Sequence, residues 1–215
     1  MYNPAHFKEP DARAIRDFMH QHPFITLCGV DENGSPVATQ VPVFIEEREG
    51  KTFLVGHLAK ASDHTRALLA RPQDVLAIFT SPHCYVSATW YKTPNIGSTW
   101  NYMSVHARGP IRFGDREELI RVMRKLTLHY EKGDTQSTTV YDNLPQEYLD
   151  SMLKAILPFE VEVTRLDHVF KLSQNRDRDS FQLIIDKLSA GDESARFIAA
   201  EMEKRKSLLY PPDNL

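Results

Sequence analysis

Asn33-Gly34 stands between two apolar runs, Phe24 to Val30 and Pro36 to Ile45. Asn-Gly reaches the left-handed backbone that a tight reversal needs, so runs joined in this way read as an antiparallel hairpin. Further strand-like runs follow: Thr52 to Gly56 after a turn at Glu46 to Gly50, then Asp74 to Thr80, His83 to Ser87, Tyr102 to Phe113 and Phe159 to Phe170. Helical spacing of apolar residues separates them. A first helix starts near Asp11, carries Ile15, Phe18 and Met19, and ends at Pro23; a second is capped by Ser62 or Asp63 and runs to Leu69, before Pro72. Gly114-Asp115 opens a third with Leu119, Val122, Met123, Leu126 and Tyr130 on one face, and Pro145 opens a short fourth to Ile156. Two more, Asp177 to Leu188 and Asp192 to Leu208, close the chain around Ala190-Gly191. Mainly antiparallel strands with interspersed helices predict an α+β fold, a barrel with peripheral helices. The expected organisation is a barrel domain over residues 1–175 and a C-terminal helical hairpin over residues 176–215 packed on it.

Composition narrows the class. The longest apolar runs, such as Val75 to Phe79, are about five residues, far short of the roughly 20 that span a bilayer. Met1 to Phe18 alternates polar and apolar residues, unlike a signal peptide, so a cytoplasmic protein with no membrane partner is expected. Two cysteines, Cys28 and Cys84, make neither a disulfide framework nor a four-ligand zinc site. A net charge of −3 argues against a dominant nucleic-acid surface.

Motifs for common chemistries are missing: no Gly-rich dinucleotide fingerprint, P-loop, zinc-protease helix or nucleophile elbow occurs. The histidines are scattered, so no metal is expected, and no residue is marked as an acid, base or nucleophile. Cys28, inside an apolar strand, reads as a small core residue. Two stretches stand out. In the first, Phe53 to Ala59 hands over to a helix at Ser62-Asp63, with Lys60 and Arg66 beside its positive end and Ser62 and Thr65 as neutral donors. That pattern makes either a phosphate cradle or a plain capped helix whose cations face water. In the second, His83 to Tyr91 and Thr99 to His106 hold both tryptophans, with Ser87, Thr99 and Asn101 among them. Such residues wall a flat heteroaromatic ligand, or build an aromatic core or subunit interface.

Met1-Tyr2-Asn3-Pro4-Ala5-His6-Phe7, Gly56-His57-Leu58-Ala59, Tyr85 with Trp90-Tyr91, Thr99-Trp100-Asn101-Tyr102 with Val105-His106, and Lys171-Leu172-Ser173-Gln174-Asn175 follow one another along the chain. In that order these motifs resemble the PaiB family of FMN-binding negative transcriptional regulators. The chain departs from the family pattern at Ser62-Asp63, Ser81-Pro82, Ala88-Thr89, Gly97-Ser98 and Val169, which marks it as a divergent member. The resemblance implies a split β-barrel, a homodimer, and FMN held near the subunit interface. Its implied cofactor residues are His57, Lys60, Ser62, Arg66, Trp100 and Asn101. By analogy with other split barrels Thr39, Gln40 and Val41 of the second strand line the flavin, and Ser173-Gln174 either closes the site or caps the last helices.

The regulator label raises the question of DNA. The last two helices resemble a helix-turn-helix in outline, but the second would present Asp192-Glu193 to the groove, two carboxylates facing a polyanion. The cations Lys171, Arg176 and Arg178 are interrupted by Asp177 and Asp179. Direct DNA binding is therefore expected to be weak and salt-sensitive at most. Three functions remain open: a flavin-dependent sensor or regulator, a flavin oxidoreductase on the same barrel, and a haem-binding split barrel using a histidine such as His57.

Overall fold

A computed structural model describes residues 1–2, 4–71 and 73–211; Asn3 and Pro72, named above, lie outside the described residues. The chain runs through α1 (Ala12–Gln21), β1 (Phe24–Val30), β2 (Pro36–Pro42), β3 (Phe44–Arg48), β4 (Lys51–Ala59), α2 (Asp63–Ala70), β5 (Asp74–Thr80) and β6 (Cys84–Val86). It continues through β7 (Thr99–Phe113), α3 (Arg116–Tyr130), α4 (Gln146–Ala155), β8 (Ile156–Glu162), β9 (Arg165–Lys171), α5 (Arg178–Ser189) and α6 (Glu193–Leu209). The strand order is β2-β1-β5-β7-β8-β4-β3, with β6 and β9 also pairing with β7. The end strands β2 and β3 do not pair with each other along this path, so the sheet is a split barrel rather than a closed one.

Two compact units partition the chain: residues 1–18, 80–105 and 167–215 form one, and residues 19–79 and 106–166 the other. The barrel core of the second unit follows from alternation. Ile25 and Leu27, Leu54 and Leu58, Val75, Ala77 and Phe79, and Phe159 and Val161 point inward and are buried. Each such Leu, Val or Phe contributes about 1.5–3 kcal/mol of burial. Gly56 of β4 sits where a Cβ would come within 2.9 Å of both the Pro42 carbonyl oxygen and the Phe159 ring. Only glycine lets the end of β2 approach β4 so closely.

Local chemistry sets the helix starts. Ser62 accepts from Thr65 N–H at 3.1 Å, and Asp115 and Glu118 form a reciprocal capping box on α3. Asp177 and Asp192 cap α5 and α6, each accepting the N–H three residues on at 2.8 Å. In the first unit Phe181, Ile184, Ile185 and Leu188 of α5 and Ile198, Ala199 and Met202 of α6 are buried.

Two strand expectations are corrected, and the hairpin expected around Asn33-Gly34, with its loop over residues 31–35, forms as β1–β2. The run Pro36 to Ile45 is two strands, broken where Val43 N–H donates to the Pro23 carbonyl at 2.9 Å. Phe159 to Phe170 also divides, because Val163 and Thr164 donate to the Thr52 and Arg108 carbonyls at 2.8 and 2.9 Å. The two-residue turn with both φ values positive is Glu49-Gly50 (52° and 75°), which carries β3 on to Arg48. At Asn33-Gly34 only Gly34 is left-handed (82°), and the Asp31 carboxylate holds the wider loop by accepting from Asn33 and Ser35 N–H.

Candidate functional site

The strand-to-helix corner of the second unit gathers His57, Lys60, Ser62 and Arg66. β4 delivers His57 half-buried, with Nδ1 enclosed and lacking a hydrogen-bond partner. Burial lowers its pKa, so the ring is neutral near pH 7. Lys60 follows, exposed, with its backbone N–H on the Ala155 carbonyl at 2.9 Å and its ammonium in no ion pair among the described residues. Ser62 spends its hydroxyl on α2, accepting from Thr65 N–H and donating to Thr65 Oγ1 at 2.8 Å. Arg66 folds back on the Asp63 carboxylate and on the Ala61 carbonyl, 2.8 Å away.

The capped-helix features of this corner are thus present. The cap uses Ser62 and the Thr65 amide and pairs Arg66, which leaves Lys60 and the Asp63 and His64 amides outside it. The corner also holds a residue that sequence inspection passed over. His64, in the first turn of α2, is 6% exposed and neither ring nitrogen makes a hydrogen bond within the described chain. Its signal was its place on the inward face with Thr65 and Leu68, which reads as core rather than site.

Thr39, Gln40 and Val41 lie on β2, the terminal strand of the order, paired on one side with Leu27, Thr26 and Ile25. Val41 is buried in the core, Thr39 half-buried and Gln40 exposed.

The aromatic stretch belongs to the first unit and divides by face. Trp100 is 52% exposed and meets His83 and Tyr85 with ring centroids 5.7 and 5.9 Å away, above a small apolar cleft that includes Tyr102 and Met103. Asn101, on the opposite face, is fully buried; its Oδ1 accepts from Ser173 Oγ at 3.1 Å and its Nδ2 faces Met202 Sδ at 3.5 Å. Ser173 is left-handed (φ 63°), and Gln174 accepts from Leu172 N–H and donates to the Phe170 carbonyl. Asn101, Ser173 and Gln174 therefore shape the loop after β9 with polar atoms already engaged.

Comparison with known proteins places this geometry. A family model described as "Putative FMN-binding domain" matches residues 1–165. Protease synthase and sporulation protein PAI 2 of Bacillus subtilis is 32% identical over 206 residues, covering 95% of this chain and 98% of that protein. The chain belongs to the PaiB family. The family match includes the β4–α2 corner and Trp100-Asn101 and stops short of Ser173. Solved structures share the fold of this PaiB-family chain. A conserved hypothetical protein from Mycobacterium tuberculosis superposes with a TM-score of 0.53 at 16% identity, over 80% of this chain and 91% of that one. The flavocytochrome Anf3 of Azotobacter vinelandii gives 0.52 at 16% identity, over 75% and 68%. Among the described residues, no helix is long and apolar enough to cross a membrane and no group of three or more His, Cys, Asp or Glu side chains is placed to hold a metal.

Proposed function

We propose that this PaiB-family chain is a cytoplasmic homodimer that binds FMN and acts as a flavin-dependent sensor or negative regulator. The observation that carries the cofactor assignment is the β4–α2 corner, where Lys60, in no ion pair among the described residues, directly precedes the capped first turn of α2 inside the segment matched by the FMN-binding family model. The residues there fit a phosphate-bearing cofactor: Lys60 supplies charge, the amides of Asp63 and His64 supply donors, and Arg66 is recruitable from Asp63. His57, with its enclosed Nδ1 unpaired, and Thr39, Gln40 and Val41 on the terminal strand are the further candidates for the flavin. Trp100, with Tyr85 and His83, offers an exposed aromatic surface for the ring or the subunit interface. Bound FMN would supply redox chemistry of its own, for which the chain need only bind, orient and exclude water.

Regulation by direct docking on DNA is not favoured. Asp192 is committed to the cap of α6 and Glu193 stands in its first turn, so the would-be recognition end is acidic. Titration of the purified protein with FMN, followed by flavin fluorescence, tests the reading. Saturable quenching is expected, weakened at least tenfold by Lys60→Ala, with riboflavin binding indifferent to that change. A Soret band after haem addition, perturbed by His57→Ala, with no flavin binding, would replace it by the haem reading. If flavin binds, rapid bleaching by a reduced nicotinamide would make the protein an oxidoreductase instead of a sensor.

A further inference from the structure

We propose that Lys171, Arg176 and Tyr91, at the end of β9 and in the loop before α5, form a second site, one for the dianionic phosphoryl group of a small molecule. The two cations belong to a basic cluster that suggests a nucleic-acid surface in sequence, yet neither is a freely solvated surface charge: both are half-buried, as is Tyr91. Lys171 Nζ donates to Thr99 Oγ1 at 2.5 Å and lies 5.6 and 5.8 Å from the Tyr2 and Phe7 ring centroids. Arg176 Cζ stands 4.3 Å over the Tyr91 ring. Among the described residues neither cation joins an ion pair. Among the described residues the Arg176 Nε and the Tyr91 hydroxyl are buried without a partner at hydrogen-bonding geometry, and burial raises the Tyr91 pKa while the nearby Arg176 lowers it in part.

The backbone is built to hold this arrangement. Left-handed Ser173 reverses the chain, the Arg176 N–H donates to the Ser173 carbonyl at 3.0 Å, and the Tyr210 hydroxyl donates to the Arg176 carbonyl at 2.6 Å. Burial, and then the nearby Arg176 charge, push the Lys171 pKa down, so the two cations tax each other as they stand. Buried charge and donors left unpaired are costly, and aromatic faces offset only part of it. One oxyanion carrying two negative charges neutralises both cations. A carboxylate supplies half that charge. Arginine's planar donors and lysine's point charge together match phosphate geometry.

The test uses flavin-free full-length protein and inorganic phosphate as the probe, at constant ionic strength, with thermal unfolding as readout. Phosphate is expected to raise the midpoint saturably. Lys171→Met and Arg176→Gln should each shift half-saturation at least tenfold, and Arg176→Lys should fall between Arg176→Gln and wild type. Because the proposed flavin corner also accepts phosphate, the series is repeated in the Lys60→Ala background, where a saturable rise and its tenfold weakening by Lys171→Met and Arg176→Gln are still expected, which separates this site from that corner. No stabilisation of the wild type, or an undiminished response in Arg176→Gln, would overturn the proposal. So would FMN affinity that falls tenfold in Lys171→Met, since the phosphoryl group would then be the flavin's own. Glycerol 3-phosphate against inorganic phosphate distinguishes an ester from the free ion, either of which supports the site. Tighter competition by a short DNA duplex at physiological salt would assign the cations to nucleic acid and reject the small anion.

Discussion

Cations cluster in two regions of this molecule, and the company they keep differs. On the outside of β3, β8 and α3, Arg48, Arg112, Arg121 and Lys125 ring a cleft of ≈ 310 Å³ floored by Val55, Pro158 and Phe159. Every one of them faces a carboxylate. Lys125 meets Glu46 at 2.6 Å, Arg112 meets Glu118 at 2.9 Å and Glu160 at 3.4 Å, Arg121 meets Glu118 at 3.7 Å, and Arg48 pairs with Glu160. At Lys171 and Arg176 no carboxylate answers among the described residues. The first arrangement is electrostatically complete and exposed, so it needs nothing further. The second is half-buried and incomplete, which points to a partner from outside.

That contrast needs a reference for what a buried cation is worth when its partners are present, and Arg205 supplies it. Its guanidinium, 16% exposed, is held by Glu201 at 2.8 Å and Glu9 at 3.0 Å. Arg205→Met would strand two shielded carboxylates, and the expected loss is about 3–5 kcal/mol in urea unfolding. A loss below about 1 kcal/mol would show that burial here is too shallow for the comparison to hold. The pH dependence has a definite sign. Burial opposes the Glu201 charge, but the Lys204 and Arg205 hydrogen bonds outweigh it and hold the folded pKa below the ordinary 4.5. A depressed carboxyl stabilises fully above its unfolded value and loses that contribution as pH falls through the folded one, so acid should destabilise wild type more than Glu201→Gln.

The same split between local and distant partners decides what the sequence discloses. β1 and β5 match their apolar alternation to the residue, and Ser62, Asp177 and Asp192 cap helices as their spacing implies, because those contacts close within three residues. The strand breaks at Val43 and Val163 are set by carbonyls of Pro23 and Thr52, far along the chain, and nothing near them announces a break. The candidate corner was legible for the same reason, since Lys60, Ser62 and Arg66 span barely two helical turns. Asn101 and Ser173 were read as ligand residues by resemblance, and only their juxtaposition across 72 positions shows them bonded to each other. Arg176 over Tyr91 is likewise a tertiary event, and in sequence Arg176, between Asn175 and Asp177, looks like one more surface cation.

Within the completed lattice, removal of one member should matter little. Arg112 is about half exposed, and its neighbours Glu118 and Glu160 keep Arg121 and Arg48. Arg112→Ala is expected to cost no more than about 1 kcal/mol by chemical denaturation, and less at high salt. A cost near that of Arg205→Met would mean that the lattice acts as one cooperative unit, and exposure would no longer explain the difference between the regions.

The smallest effect is the most direct measure of incompleteness. Because burial and Arg176 lower the folded pKa of Lys171 beneath the ordinary 10.5, the unfolded chain holds this proton more tightly than the folded one. Below the folded value both states are protonated and the penalty is constant. Between the folded value and 10.5 the folded lysine sheds its charge first, so stability rises with pH through that window relative to a variant that cannot titrate. In anion-free buffer, wild type should therefore gain on Lys171→Met as the solution becomes alkaline. Losing the Thr99 hydrogen bond shifts the variant by an amount that varies little with pH, so the slope, not the offset, is the quantity to read. Phosphate reverses the electrostatics: an anion against the ammonium favours its charged form, raises the folded pKa and flattens the slope. Parallel pH curves without phosphate would mean that Lys171 is adequately solvated as it stands, and the contrast with the lattice would then reduce to exposure alone.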